Sequence, residues 1–222
     1  MKVKFFKEET PMGHTSKLMI LGASGHGKVA ADIALLNGYE SIVFLDDDTS
    51  KKTNGSYPVV GTITEFISKM QAHGSSNIDF DVFVAIGNNS VRMKITEKLT
   101  IKAATLIHPA AVIDRTAVIH SGSIVMAGAI VNADAFIGRG CIINTGASID
   151  HDCILGDYVH ISPGAHIAGT VNIGSKTWFG IGSCCVNNVD IAPDCIVGAG
   201  TAIIDDINES GTYVGCPAVK VE

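Results

Sequence analysis

The chain has 222 residues, a formal net charge of −6, 46% hydrophobic residues and 6% aromatics. An acidic chain with few stacking rings excludes a typical nucleic-acid binder, which needs a basic stripe. No apolar run reaches the roughly eighteen residues of a membrane span.

Residues 1–16, "MKVKFFKEETPMGHTS", read as a polar leader without the apolar core of a signal peptide. The six cysteines lack CxxC or other zinc spacing. Reduced cysteines in a cytoplasmic protein are the expectation.

Residues 17–107 predict an α/β domain. "KLMIL" reads as a buried strand, "GASGHG" as a glycine loop and "KVAADIALL" as a helix. "SIVFLDDD" is a second strand, "TEFISKMQAH" a helix, "FDVFVAIG" a third strand and "SVRMKITEKL" a further helix. This βαβαβα order predicts a small parallel sheet of Rossmann-like type with helices packed on it. The glycine loop joins a strand to a helix, the setting that attracts phosphate, although tight turning alone also accounts for it. Its G-x-x-G-x-G spacing differs from the dinucleotide fingerprint. The loop, Asp46-Asp47-Asp48 and "GNN" at 87–89 all fall at strand C-terminal ends, where open α/β sheets bind ligands. About ninety residues make one mononucleotide-binding half, which favours a nucleotide or nucleotide-sugar over NAD. His26 within the loop either hydrogen-bonds a ligand or caps the helix.

Residues 108–222 carry a six-residue repeat. Stepping by six from Ile113 to Ile203 meets Ile, Leu or Val at fourteen of sixteen positions, without insertion. The position two before each is small or β-branched. A helix repeats near 3.6 and a flat strand at 2, so a period of six predicts a parallel β-helix of triangular section. Gly122, Gly128, Gly140, Gly146, Gly164, Gly182 and Gly200 share the phase where the chain must turn sharply. Cys141, Cys153 and Cys195 fall on the small inward phase and read as packing.

The same phase turns His160 and His166 outward and puts His151 near a corner. Asp150 and Asp152 flank His151, and a carboxylate can fix an imidazole's tautomer and raise its basicity. A zinc site is the competing reading of three outward histidines. None of the three lies one coil of eighteen residues from another, which disfavours it. Cys184 and Cys185 are alternative nucleophiles, but Cys185 points inward and neither has a neighbouring His in sequence.

Taken together, "LGASGHGKVAADIA", "FLDDD", "AIGNN", "NTGASIDHDCILGDYVHISPGAHIAG" and "YVGCPA" resemble the hexapeptide-repeat acetyltransferases of bacterial sugar biosynthesis. These include the bacillosamine-pathway enzymes that N-acetylate a UDP-4-amino-4,6-dideoxy sugar and the sialic acid O-acetyltransferases. The resemblance implies a left-handed β-helix, a homotrimer, and acetyl-CoA as co-substrate in the cleft between adjacent prisms. It implies no metal.

By position it makes His151 the general base and Asp152 its orienting acid. His160, Gly169, Ile181 and Ala199 become the acetyl-CoA wall. Ser24, Gly25, His26, Asp46 and Asp47 become the nucleotide-sugar pocket, with Asn88 and Asn89 beside it. "GCPA" resembles the chain end beside the nucleotide part of CoA. The resulting expectation is direct acetyl transfer to the amine of a UDP-amino-sugar. O-acetylation of sialic acid or another sugar is the alternative, and a non-catalytic nucleotide-sugar scaffold is a third reading.

Overall fold

The structure, a computed structural model, describes residues 16–73 and 79–221. The polar leader therefore lies outside the described residues except for Ser16. In the α/β part, β1 (Lys17–Leu21), β2 (Ser41–Leu45), β3 (Thr53–Asn54), β4 (Tyr57–Gly61) and β5 (Asp81–Val84) form a sheet of order β3-β4-β2-β1-β5. The pairs β4–β2, β2–β1 and β1–β5 are parallel, and β3 pairs antiparallel with β4. Helices α1 (Gly25–Leu36), α2 (Ile63–His73) and α3 (Asn89–Thr96) follow β1, β4 and β5.

The hairpin β3–β4 was not legible from the alternation of long apolar runs. Its signal is short: Asn54-Gly55 at the turn, with Gly55 at φ +62. Pro58 within β4 speaks against a strand, but it lies opposite Thr53 in the short antiparallel pair.

The glycine loop is shaped by close packing. Gly22 has φ +112, and a Cβ there would lie 2.7 Å from the Ala85 carbonyl oxygen. A Cβ on Gly27 would lie 2.3 Å from the Gly22 oxygen. Both positions exclude a side chain, so α1 starts hard against the ends of β1 and β5.

From Leu106 onward the chain is a parallel β-helix of short strands. Each strand pairs with the one eighteen residues on, as in Ile142–Ile143 with His160–Ile161 and then Trp178–Phe179. Three sides result. Side one runs from Leu106–Ile107 to Cys195–Val197, side two from Val112–Ile113 to Ala202–Ile203, and side three from Val118–Ile119 to Asp190–Ile191. The inward phase forms one core from Val125 to Ile203, with Cys141, Cys153 and Cys195 fully buried in it.

At every sixth residue from Gly122 to Gly200 the backbone is left-handed, with φ between +57 and +75. Where glycine is missing, Asp134, Asp152, Tyr158, Thr170, Lys176, Asn188 and Asp194 adopt that conformation. Asp and Asn tolerate it through local hydrogen bonding, whereas Tyr158 and Thr170 are held there by the coil. The tail adds Gly211–Val214 parallel to side one, and Val219–Val221 turns back antiparallel. "GCPA" makes that turn over the last coil, with the Ala218 amide donating to the Ala202 carbonyl.

The α/β part sits on side one. Outward-facing Leu106, Ile124 and Ile142 are 0–1% exposed and share a core with Leu18, Ile20, Ile33 and Phe83. Each such side chain contributes about 1.5–3 kcal/mol of hydrophobic burial. Further along side one this cover ends: Trp178 and Ile196 are each 45% exposed. His160 lies at the boundary.

Candidate active site

His151 occupies the corner between sides two and three, on the residue before the left-handed Asp152 (φ +59). Its Nδ1 is 2.7 Å from Asp152 Oδ2, and its backbone amide donates to Asp150 Oδ1 at 2.8 Å. Asp150 is itself held by Asn132 Nδ2 at 2.8 Å. The Asp152 hydrogen bond raises the His151 pKa above the usual 6.5, with the charges of Asp150 and Asp152 adding to it. In the neutral ring the proton sits on Nδ1 toward the carboxylate, and the lone pair sits on Nε2. Gly169 lies one coil on, at the same corner. A Cβ there would come within 2.6 Å of His151 Cε1 and Nε2. Glycine at 169 is what gives the imidazole its room.

His160 is set differently. It projects from side one, stacks on Trp178 at 5.7 Å and 9°, and receives Asn144 Nδ2 at 3.2 Å on Nε2. Burial, then the charges of Arg92 and His26, lowers its pKa to about 3. Its Nδ1 is buried and meets no acceptor at full hydrogen-bonding geometry, while the Gly87 backbone beside the ring acts against burial and raises the pKa. The repeat phase gave the outward direction correctly, but phase does not say what packs outside a prism. Here the loop after β5 does. A cavity of about 460 Å³ lies there, lined by Gly87–Ser90 on one wall and by His160, Lys176, Trp178 and Ile196 on the other. Ile181 and Ala199 are exposed at the neighbouring corner, between sides one and two.

Among the glycine-loop residues, Ser24 precedes α1 but makes no side-chain cap, and no acidic residue sits in the first turn of that helix. The amide end of α1 from Gly25 is thus not neutralised by its own sequence. His26 does not cap the helix. It lies inside the first turn with Nε2 buried and unpartnered, and burial followed by the Arg92 charge lowers its pKa to about 4.

The acidic and amide residues are largely committed to the framework. Asp46 accepts the Ala23 amide at 2.8 Å and Lys51 Nζ at 2.9 Å, bracing the glycine loop. Asp47 accepts the Thr64 amide and hydroxyl at the start of α2. Asn88 caps α3 through Val91 N, and Asn89 donates to the Lys176 carbonyl across the domain boundary. Sequence reasoning missed Asn144, Trp178 and Arg92. Trp178 was findable, since it stands one coil from His160 on the same side.

The geometry divides the candidate residues into two groups. In a triangular section the corner joining sides two and three lies opposite side one. His151, Asp152 and Gly169 share that corner; His160, Ile181, Ala199 and the α/β residues belong to side one and its edges. Among the described residues no group of three or more His, Cys, Asp or Glu side chains could hold a metal ion. No described helix is long and apolar enough to cross a membrane.

Comparison with known proteins agrees with this architecture. The family model of the PglD N-terminal domain matches residues 17–99, and that of the bacterial transferase hexapeptide (six repeats) matches residues 134–169. The acetyltransferase domain of PglB from Neisseria gonorrhoeae, solved in complex with acetyl coenzyme A, is 41% identical. The match covers 93% of this chain and 100% of that one, with a TM-score of 0.86. A mutant of perosamine N-acetyltransferase from Caulobacter crescentus, with a histidine replaced by asparagine, was solved with CoA and GDP-perosamine. It is 33% identical over 95% of this chain and 98% of that one, with a TM-score of 0.83. UDP-N-acetylbacillosamine N-acetyltransferase of Bacillus subtilis (strain 168) is 37% identical over 106 residues, 46% of this chain. The match thus spans about half the length of that curated relative, 48%.

Proposed function

Because this chain belongs to the hexapeptide-repeat sugar acetyltransferases that carry a PglD-type N-terminal domain, we propose that it transfers acetyl from acetyl-CoA to the amine of a UDP-4-amino-4,6-dideoxy sugar. The observation that carries the chemistry is the His151–Asp152 pair at 2.7 Å, beside a glycine that leaves the ring unobstructed. Nε2 of His151 takes the proton as the sugar amine attacks the thioester carbonyl, and the thiol of CoA departs. No acyl-enzyme is required. Cys185 is buried, with its thiol pushed up to about 12 by burial, which makes it a poor nucleophile.

The division of residues supports a site shared between chains. One copy supplies its His151 corner, and the next supplies His160, Ile181 and Ala199 along with its nucleotide-sugar pocket. A ring of three copies closes such a heterologous contact. Exposed Val118, Phe136 and Ile154, spaced one coil apart on side three, supply apolar surface flanking that corner. Ser24, Gly25 and His26 cradle the diphosphate at the start of α1, where amide groups favour anions. Asp46 holds that cradle in shape through the Ala23 amide, Asp47 stands beside it at the start of α2, and Asn88 and Asn89 form the adjoining rim.

UDP is the nucleotide of the bacillosamine relative, 37% identical over 46% of this chain, and GDP that of the perosamine enzyme, 33% identical over 95%, so both nucleotides enter the test. The test is an acetylation assay offering UDP- and GDP-4-amino sugars beside sialic acid, with products identified by mass. An N-acetylated UDP-sugar is the expected product. Acetylation of sialic acid oxygen alone would sink the amine reading, and no acetyl-CoA binding at all would favour a scaffold.

The pH profile offers a second check. The His151 pKa is raised, so base-form activity emerges only as pH climbs through a value above 6.5. Asp152→Asn keeps a residue suited to the left-handed corner but removes the carboxylate. Its acid limb is expected to move to lower pH while the maximal rate falls. An unmoved limb would detach Asp152 from the base.

A further inference from the structure

Arg92, on α3, is the largest fully buried side chain among the described residues, at 1% exposure. Its Nε donates to the Gly140 carbonyl at 2.7 Å, and Nη2 donates to the Tyr158 carbonyl at 2.9 Å. Nη1 donates to the Ile86 and Gly87 carbonyls at 2.9 and 3.2 Å, and Nη2 also reaches Asn89 Oδ1 at 2.8 Å. Gly140 and Tyr158 are left-handed corner residues one coil apart, at φ +62 and +61. Ile86 and Gly87 belong to the loop after β5, and Asn89 opens α3 directly behind it. One guanidinium therefore gathers oxygens from two successive prism corners and from the cavity's opposite wall. No carboxylate pairs with it among the described residues. Burying a charge without a partner is costly, and an apolar side chain would join two domains without that penalty.

The same charge lies behind His160. The Asn144 amide is oriented by its Oδ1, which accepts the Thr145 amide at 2.8 Å, so its NH₂ group faces His160 Nε2. Nε2 then accepts and Nδ1 carries the proton. A protonated ring would turn a second donor toward Asn144 and break that contact. We propose that Arg92 is a positioning residue, fastening the Gly87–Asn89 loop against the His160–Trp178 wall and fixing His160 as an uncharged ring protonated on Nδ1. The charged groups around His160 are consistent with this. His26 comes from α1 and Arg92 from α3, and the cavity's Lys176 is paired with Asp194 at 2.7 Å. Arg92 itself, lowered by burial to about 10, remains charged at neutral pH. The kinetic part rests on the acetyl-transfer reading above; the ring's tautomer does not.

The experiment joins nitrogen-resolved NMR of His160 to kinetics of Arg92→Lys and Arg92→Met. In the unsubstituted protein His160 stays neutral with its proton on Nδ1 from pH 5 to 8. Arg92→Lys keeps the charge but loses the fork, so substrate KM rises about tenfold with kcat within about twofold, and His160 still fails to titrate. Arg92→Met raises KM similarly and moves the His160 titration upward. Wild-type KM in both variants, or a His160 that titrates between pH 5 and 8 or is protonated on Nε2, overturns the proposal. If neither variant folds, Arg92→Gln takes their place, and a native KM together with an unmoved His160 titration in it overturns the proposal. If the protein proves inactive on every amino sugar, the acetyl-transfer reading fails while the two NMR predictions still stand or fall.

Discussion

His151→Ala is expected to lower kcat by about 10²–10⁴-fold, the usual contribution of a positioned general base. Melting temperature and oligomeric state should not change. The side chain is 57% exposed and, among the described residues, its one side-chain hydrogen bond is to Asp152, its exposed neighbour in sequence. Its backbone amide bond to Asp150 and the carbonyl bond to Thr170 survive the substitution. Steady-state kinetics at saturating acetyl-CoA, with light scattering and thermal melting alongside, checks both halves. A variant with native turnover would remove His151 from the mechanism. A loss of the oligomer would instead make the residue structural and leave the base unassigned. Gly169 sharpens the contrast: any side chain there meets the His151 ring, so larger residues should impair turnover by displacing the imidazole rather than by deleting it.

The prism is legible because its period is strict: the sixth-residue Ile, Leu and Val positions mark the inward phase, and each corner glycine is left-handed. The His151 corner was legible for the same reason, since phase alone put it outside the core. What phase could not report was cover. His160 is outward like His166, yet His160 is mostly buried beneath the loop after β5, whereas His166 remains exposed with its Nδ1 2.8 Å from Ser148 Oγ. Such tertiary cover depends on residues seventy positions away and leaves no local pattern. Arg92 is the extreme instance. Within "SVRMKITEKL" it reads as one more solvated charge on a helix, and only the docking of two domains encloses it. Asp47 illustrates the reverse error of emphasis. A carboxylate at a strand end suggests ligand contact, but its position also suits the start of α2, where its oxygens are engaged.

The opposition of the His151 corner and side one leads to the second large effect. If each site takes its base from one copy and its wall from the next, two inactive variants should restore each other. His151→Ala spoils the corner and leaves the wall; Ile181→Trp fills the exposed wall position and leaves the corner. Each alone should show almost no transfer. Unfolded and refolded together in equal amounts, they form mixed rings in which about one site in four combines an intact corner with an intact wall, by random assortment around a closed ring. Activity near a quarter of the native value, absent when the separately folded proteins are merely mixed, is the expected result. No recovery after verified subunit mixing would mean that corner and wall serve the same chain. The opposite placement of His151 and side one in a single prism makes that outcome hard to reach without a large movement of the α/β part. That part is held to the prism by Leu106, Ile124 and Ile142 in a common core and by the buried Arg92 fork.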